Sequence, residues 1–280
     1  MVARLCWAEG TVLNGRIAMA GNSRDPGRSV TARALSVLTA FDVDHTRLTL
    51  TGIARRAGIP LATAHRLVGE LEMWGALQRD ADGRYSIGLR LWEIGLLCPV
   101  NSGLREIALP YMQELCQHTH DNVHLAVRDG MEAVYVEKLT TPRAVPIVSR
   151  TGGRLPLHST GVGKVLLAHA PAAVMHQYCE RGLSRQTPYT ITEPGRLGRE
   201  LQGVRARGYA SANEEMTLGN CSVAVPVHDG SGAVVAALGV VAHSVRAEVS
   251  RLVKPLLPAA EAIRGRLVEH ERVGYDVLSR

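Results

Sequence analysis

A tight turn between two short helical patterns, around residue 58, constrains this 280-residue chain more than any other feature. Residues 52–57 read as a short helix that Thr51 is placed to cap. Gly58 ends it, because glycine takes the left-handed backbone that closes helices. Pro60 opens the next helix, since a missing N–H is harmless in a first turn, and Leu61, Ala64, Leu67, Leu71 and Trp74 form its apolar stripe up to a stop at Gly75. Ahead of this pair, residues 30–41 carry Ala34, Leu35, Leu38 and Phe41 at helical spacing. Behind it, residues 76–79 and 84–87 flank Asp80-Ala81-Asp82-Gly83, with the Asp-Gly step that joins short antiparallel strands. Three helices and a hairpin in that order make a winged helix-turn-helix.

Charge gives that module a partner. The chain carries a net +6, and residues 28–66 hold six arginines (Arg28, Arg33, Arg47, Arg55, Arg56 and Arg66) against two acids, Asp42 and Asp44. On the helix after Pro60, the polar residues Thr63, His65, Arg66 and Glu70 point away from the apolar stripe, where side chains can reach base edges or phosphates in a major groove. A polar helix face alone is equally explained by solvation. Turn, hairpin and clustered charge together point to double-stranded DNA.

Hydrophobic residues make up 46% and charged residues 21%, which excludes a wholly disordered or collagen-like chain. The longest apolar run, residues 233–242, contains Gly239 and falls far short of the roughly 20 residues that span a bilayer. Residues 1–27 lack the apolar core of a secretory signal, so no membrane partner and a cytoplasmic location are expected. Five scattered cysteines without a Cys-x-x-Cys pair fit reduced thiols. Residues 89–97 read as a helix stopping before Pro99, and residues 99–103 as the domain boundary. Beyond it, helices are expected at 104–118, 163–168, 172–181, 197–207 and 249–271, and strands at 122–127, 133–137, 144–148, 222–227 and 233–242. One sheet with helices around it follows.

Residues 29–95, with the stretches LTLTGIARRAGIPLATAHRLVGEL and DGRYSIGLRLWEIG, resemble the DNA-binding domain of the IclR family of bacterial transcriptional regulators. The resemblance continues in LPLHSTGVGKVLLA, residues 155–168, and RGYASANEEMTLGNCSVAVPV, residues 207–227. It implies an α+β chain, an N-terminal winged helix-turn-helix (29–88) joined by a linker helix and boundary (89–103) to a GAF-like α/β domain (104–280) that binds an effector and oligomerises. Residues 1–28 are expected to be a disordered leader, with Met19 as an alternative start. By residue match, Thr63, His65 and Arg66 are implicated in the major groove, and Arg33 and Arg84 at the backbone. Gly161, Val162, Asn213, Ser222, Gly239 and Val241 match effector-lining positions. Asn213 is often acidic in the family, Ser222 often cysteine, and Gly239 and Val241 sometimes serine, so this pocket is expected to be less polar. Independently, residues 160–164 place backbone N–H groups at a helix start, a natural cradle for a carboxylate.

Other chemistries fit poorly. A phosphate loop, GxxxxGK[ST], fails at His158 and Val165. His118, His120 and His124 do not have the spacing of a closed zinc site, and His124 is expected on a strand with its ring near the effector pocket or solvent. No GxSxG elbow is present, and Glu214-Glu215 adjoins a turn. The expected protein is therefore no enzyme and needs no cofactor. It is a repressor of a catabolic operon, binding operator DNA as a homodimer or homotetramer and answering to a small organic acid more apolar than glyoxylate or pyruvate. Two other classes stay open. An architectural DNA binder would be effector-insensitive, and an enzyme of unrecognised type would show turnover without DNA.

Overall fold

The computed structural model describes residues 28–98 and 100–278, and divides into two compact units at Cys98–Pro99. The leader expected over residues 1–28 lies, except for Arg28, outside the described residues.

In the first unit, α1 (Val30–Leu38), α2 (Leu50–Ala57) and α3 (Leu61–Trp74) are followed by the antiparallel pair β1 (Leu77–Arg79) and β2 (Tyr85–Ile87), then α4 (Leu89–Leu96). Gly58 and Gly75 close α2 and α3 at φ of 64° and 87°, where a β-carbon would be strained. The cap of α2 is Thr49 rather than Thr51. Its hydroxyl accepts from the Gly52 N–H at 3.1 Å, because the helix begins at Leu50, and Thr51 Oγ1 merely lies 3.0 Å from Thr49 Oγ1. α1 stops at Leu38, three residues short of the expected end, and its buried residue is Val37, whereas Leu35 is exposed. Val37, Ile53, Ala64, Leu67, Val68, Leu77 and Tyr85 form the core. Leu48 exchanges backbone hydrogen bonds with Tyr85 at 2.9 and 2.7 Å, which ties the wing to the chain entering α2.

In the second unit a π-helical stretch, Val100–Arg105, leads directly into α5 (Glu106–Thr119), so the expected boundary loop is helical. Leu104 is buried in the core and Val100 packs against it, and that packing overrides the turn preference of Asn101-Ser102-Gly103. One antiparallel sheet follows, in the order β5 (Arg154–Pro156), β4 (Glu132–Leu139), β3 (Asn122–Asp129), β8 (Val234–His243), β7 (Asn220–His228) and β6 (Ala210–Asn213). The short strands β5 and β6 come in addition to those expected. The strand expected at 144–148 is instead an irregular segment. Pro146 has no N–H for a ladder, and side chains hold the segment: Asn122 Nδ2 donates to the Val145 carbonyl at 2.8 Å and Asn220 Nδ2 to the Pro146 carbonyl at 2.9 Å.

Strand alternation divides the sheet cleanly. Val223, Val225, Leu238 and Val240 point to one face, where α5 and α9 (Val249–Leu278) cover them. Ala126, Ala224, Ala237 and Gly239 point to the other, beneath α6 (Gly161–Ala168), with α7 (Ala172–Glu180) and α8 (Pro194–Arg207) beyond. Small residues on that face let α6 approach closely. A β-carbon at Gly239 would stand 2.9 Å from Val162 Cγ1 and 3.1 Å from the Val223 carbonyl oxygen.

Candidate functional site

The α3 helix presents its polar face as the spacing implied. Ala64, Leu67 and Val68 are buried, His65, Arg66 and Glu70 are exposed, and Thr63 is half-buried. Arg66 Nη1 donates to Glu70 Oε1 at 2.6 Å, an exposed pair whose release would cost well under about 1 kcal/mol. Arg84 is exposed in the wing, its backbone N–H held by Asp80 Oδ1 at 2.9 Å. Arg33 is half-buried and donates from Nη2 to the Arg28 carbonyl at 3.0 Å.

The positive charge is less uniform than the arginine count implied. Arg47 is paired to Asp80 and Arg56 to Asp42, so both fasten loops of the fold. The Arg47 hydrogen bond holds the Asp80 carboxyl below the usual range, and the His45 hydrogen bond does the same for Asp42. Arg55, by contrast, is exposed on α2.

The second site is a cleft of about 490 Å³, including its open mouth, between α6 and the sheet. Of the residues matched to effector positions, Gly161, Val162, Ser222, Gly239 and Val241 all line it. Asn213 does not: it ends β6, paired with Cys221, and its side chain is exposed. His124 and Tyr135 from β3 and β4, Ile147, Val148 and Ser149 from the irregular segment, Thr160, and Met216, Thr217 and Asn220 also line it. Apart from His124 and Thr160, sequence reasoning missed these, because they come from segments that only the strand register brings together.

The backbone cradle at residues 160–164 is narrower than expected. Three of its amides are already used: Gly161 N–H donates to Ser222 Oγ at 2.9 Å, Gly163 N–H to Thr160 Oγ1 at 3.1 Å, and Lys164 N–H to the Thr160 carbonyl at 2.9 Å. Among the described residues, the Thr160 and Val162 amides and the Ser222 hydroxyl hydrogen are what this cradle has left to donate. Lys164 supplies no charge here. Its ammonium, buried under α6, donates to Glu215 Oε1 at 2.6 Å and to the Ser211 carbonyl at 3.0 Å.

Among the described residues, no Lys, Arg, Asp or Glu lines the cleft. Burial, helped by Lys138, lowers the His124 pKa to about 3, and burial pushes the Tyr135 phenol well up, so both are neutral. The cleft is thus apolar, with amide and hydroxyl donors at the α6 end. His158, which spoils the phosphate loop, serves the fold instead. Its Nδ1 meets Tyr178 Oη at 2.7 Å and its Nε2 the Ser184 carbonyl at 2.9 Å, joining α7 to the loop before α6. Among the described residues, no group of three or more His, Cys, Asp or Glu is placed to hold a metal, and no helix is long and apolar enough to cross a membrane.

Residues 30–81 match the IclR helix-turn-helix domain, and residues 100–264 match the bacterial transcriptional regulator IclR C-terminal domain. The transcriptional regulator XynR of Escherichia coli is 35% identical over 208 residues, 74% of this chain and 82% of its own. An IclR homolog from Microbacterium hydrocarbonoxydans, solved in complex with 4-hydroxybenzoate, is 36% identical with a TM-score of 0.81, over 85% of this chain and 99% of that one. The IclR of Thermotoga maritima is 31% identical with a TM-score of 0.70, over 85% and 98% of the two chains. Two family domains in the expected order, one with an exposed polar face on α3 and the other with an apolar cleft, make this chain a member of the IclR family of transcriptional regulators.

Proposed function

We propose that the chain is a cytoplasmic, ligand-responsive repressor of a catabolic operon, whose second domain binds an aromatic carboxylic acid. The observation that carries the effector class is the cleft itself: a wall without ionised side chains, with free amide and hydroxyl donors at one end. An aromatic ring suits the wall, and a carboxylate suits the Val162 amide and the Ser222 hydroxyl at the positive end of α6. The 4-hydroxybenzoate bound to the Microbacterium relative supports the same class. DNA contact is assigned to Thr63, His65 and Arg66, with Arg33 and Arg84 on the backbone. Binding as a homodimer or homotetramer is supported by α4, which leaves Leu89, Trp92 and Ile94 exposed for a second copy, with Leu97 just beyond its end.

The test is a thermal-shift screen of the full chain against aromatic acids, short keto acids and neutral sugars, followed by release of its own promoter DNA with any hit. At one hundred times its dissociation constant an effector adds about 2.7 kcal/mol, a rise of roughly 5–10 °C in Tm. Ser222→Ala should weaken the acid while leaving the fold intact. It is a cleaner probe than a substitution at Gly161, whose β-carbon would meet Ser222 Oγ at 3.0 Å. Stabilisation by sugars alone overturns the acid reading, and DNA release by none of the hits favours the architectural binder. A reporter behind the promoter that rises with the acid would support repression, and one that falls would refute it.

A further inference from the structure

The positive charge of the chain gathers in two stretches. Residues 28–66 are one. Residues 181–207, in the second domain, are the other, with six arginines (Arg181, Arg185, Arg196, Arg199, Arg205 and Arg207) against two acids, Glu193 and Glu200. Together the two stretches exceed the +6 of the whole chain, so the rest of it is net acidic.

The fold sets the second stretch on neighbouring elements and leaves most of its charge bare. α7 lies against α8, where a β-carbon at Gly198 would stand 3.3 Å from Met175 Cε, and Arg181 caps the end of α7. In the loop between the two helices Arg185 donates to the Pro188 carbonyl at 3.3 Å and to Thr192 Oγ1 at 3.4 Å, which holds it beside the start of α8. Leu197, Leu201 and Val204 turn inward from α8 and leave Arg196 and Arg199 exposed. Of the six arginines Arg207 alone meets a carboxylate, Glu200 at 2.6 Å. Arg205 donates to the Ala168 carbonyl, which is neutral, and Arg196 is felt by Glu215 without forming an ion pair with it. On α9, by contrast, Arg264 and Arg266 pair with Glu261 and Glu269 at 2.8 and 2.7 Å.

We propose that the end of α7, the loop after it and the exposed side of α8 form a second DNA surface, which holds the phosphate backbone of duplex DNA without reading its sequence. Bare guanidinium groups side by side repel one another, and a row of phosphates relieves that repulsion while offering each a two-pronged partner. An acidic protein fits less well, because protein interfaces gather apolar and aromatic anchors at their centre, and Tyr189 is the one large hydrophobic exposed between residues 181 and 207. The surface goes beyond the contacts assigned to α3 and the wing, and adds phosphates to those met by Arg33 and Arg84.

The test is a fluorescence-anisotropy titration of the full chain, over a series of KCl concentrations, on a long fragment of its own promoter and on a scrambled duplex of equal length. Replacing Arg181, Arg185, Arg196 and Arg199 together by Gln should make the log–log salt dependence less steep by about 2–4, since each phosphate contact contributes about 0.9. The preference for promoter over scrambled DNA should stay within about twofold of wild type, because phosphate contacts carry no sequence information. An unchanged slope overturns the proposal, and so does a lost preference for the promoter. An unchanged slope together with retention of wild type, but not of the variant, on immobilised poly-glutamate overturns it in favour of an acidic protein. Should the fourfold variant fail to fold, Arg196→Gln with Arg199→Gln removes no hydrogen bond of the fold, and a slope less steep by about 1–2 is then the expected result and an unchanged one the refutation.

Discussion

Lys164 shows what a single residue contributes beneath the cleft. It is 1% exposed, and Glu215, its partner, is held by the Thr190 hydroxyl, which donates to its carbonyl at 2.7 Å. Burial raises the Glu215 carboxyl even against the pull of the ammonium, and its Oε2 lacks a partner among the described residues. Removing one member of such a pair leaves a buried charge alone, so Lys164→Met should destabilise the second domain by about 3–5 kcal/mol, and Lys164→Met with Glu215→Leu should recover most of it. Urea unfolding of the two variants measures both numbers. His124 makes the stability pH-dependent. Its folded pKa of about 3 lies below an unfolded value near 6.5, so between these the unfolded chain binds a proton that the folded one refuses. Stability therefore falls as pH drops below 6.5, by up to about 1.4 kcal/mol per pH unit for this ring, and is flat with respect to it above that value. Burial shifts His158 the same way. Unfolding midpoints measured from pH 7.5 to 5 should show this slope, and His124→Phe should flatten it.

At the scale of elements, legibility follows locality. The bounds of α3 are readable because Pro60 and Gly75 act through their own backbone, and the turn at Gly58 likewise, but the ends of its expected apolar stripe, Leu61 and Trp74, are exposed. The α6 start is readable for the same reason, though not how many of its amides are already taken. Periodicity marks Leu35 as apolar but cannot tell that no other element covers it. β5 and β6, of three and four residues, are too short to show alternation, and they exist because longer neighbours offer them a ladder. Tyr135 and Ser149 join His124 in one wall only through the β3–β4 register and a proline-interrupted segment, neither of which leaves a sequence signature. The α3 assignment is tested by Thr63→Ala and Arg66→Ala. Each should weaken operator binding by about 1–3 kcal/mol without lowering Tm, with relaxed specificity at one position if a base contact is lost. Unchanged affinity in both, by gel shift on the native promoter, would remove α3 from the groove.

Taken whole, the molecule is two units with separate cores, one built on three helices and a hairpin and the other on a six-stranded sheet covered on both faces. Residues 99–280 are therefore expected to fold alone and to self-associate, because one winged helix buries too little surface for tight specific binding and paired half-sites need paired proteins. Sedimentation of that fragment as a monomer at micromolar concentration would contradict this. The cleft without ionised side chains has one more consequence. On the proposed assignment, contacts from Arg33 and Arg84 to phosphates would release counterions, so DNA affinity should fall steeply with ionic strength, by a slope of about −0.9 per phosphate on a log–log plot. A ligand held by an amide, hydroxyls and apolar surface loses little over the same range. Raising the salt should thus strip the regulator from DNA while its cleft still holds the proposed effector, so that the two proposed functions can be weighed separately in one buffer series.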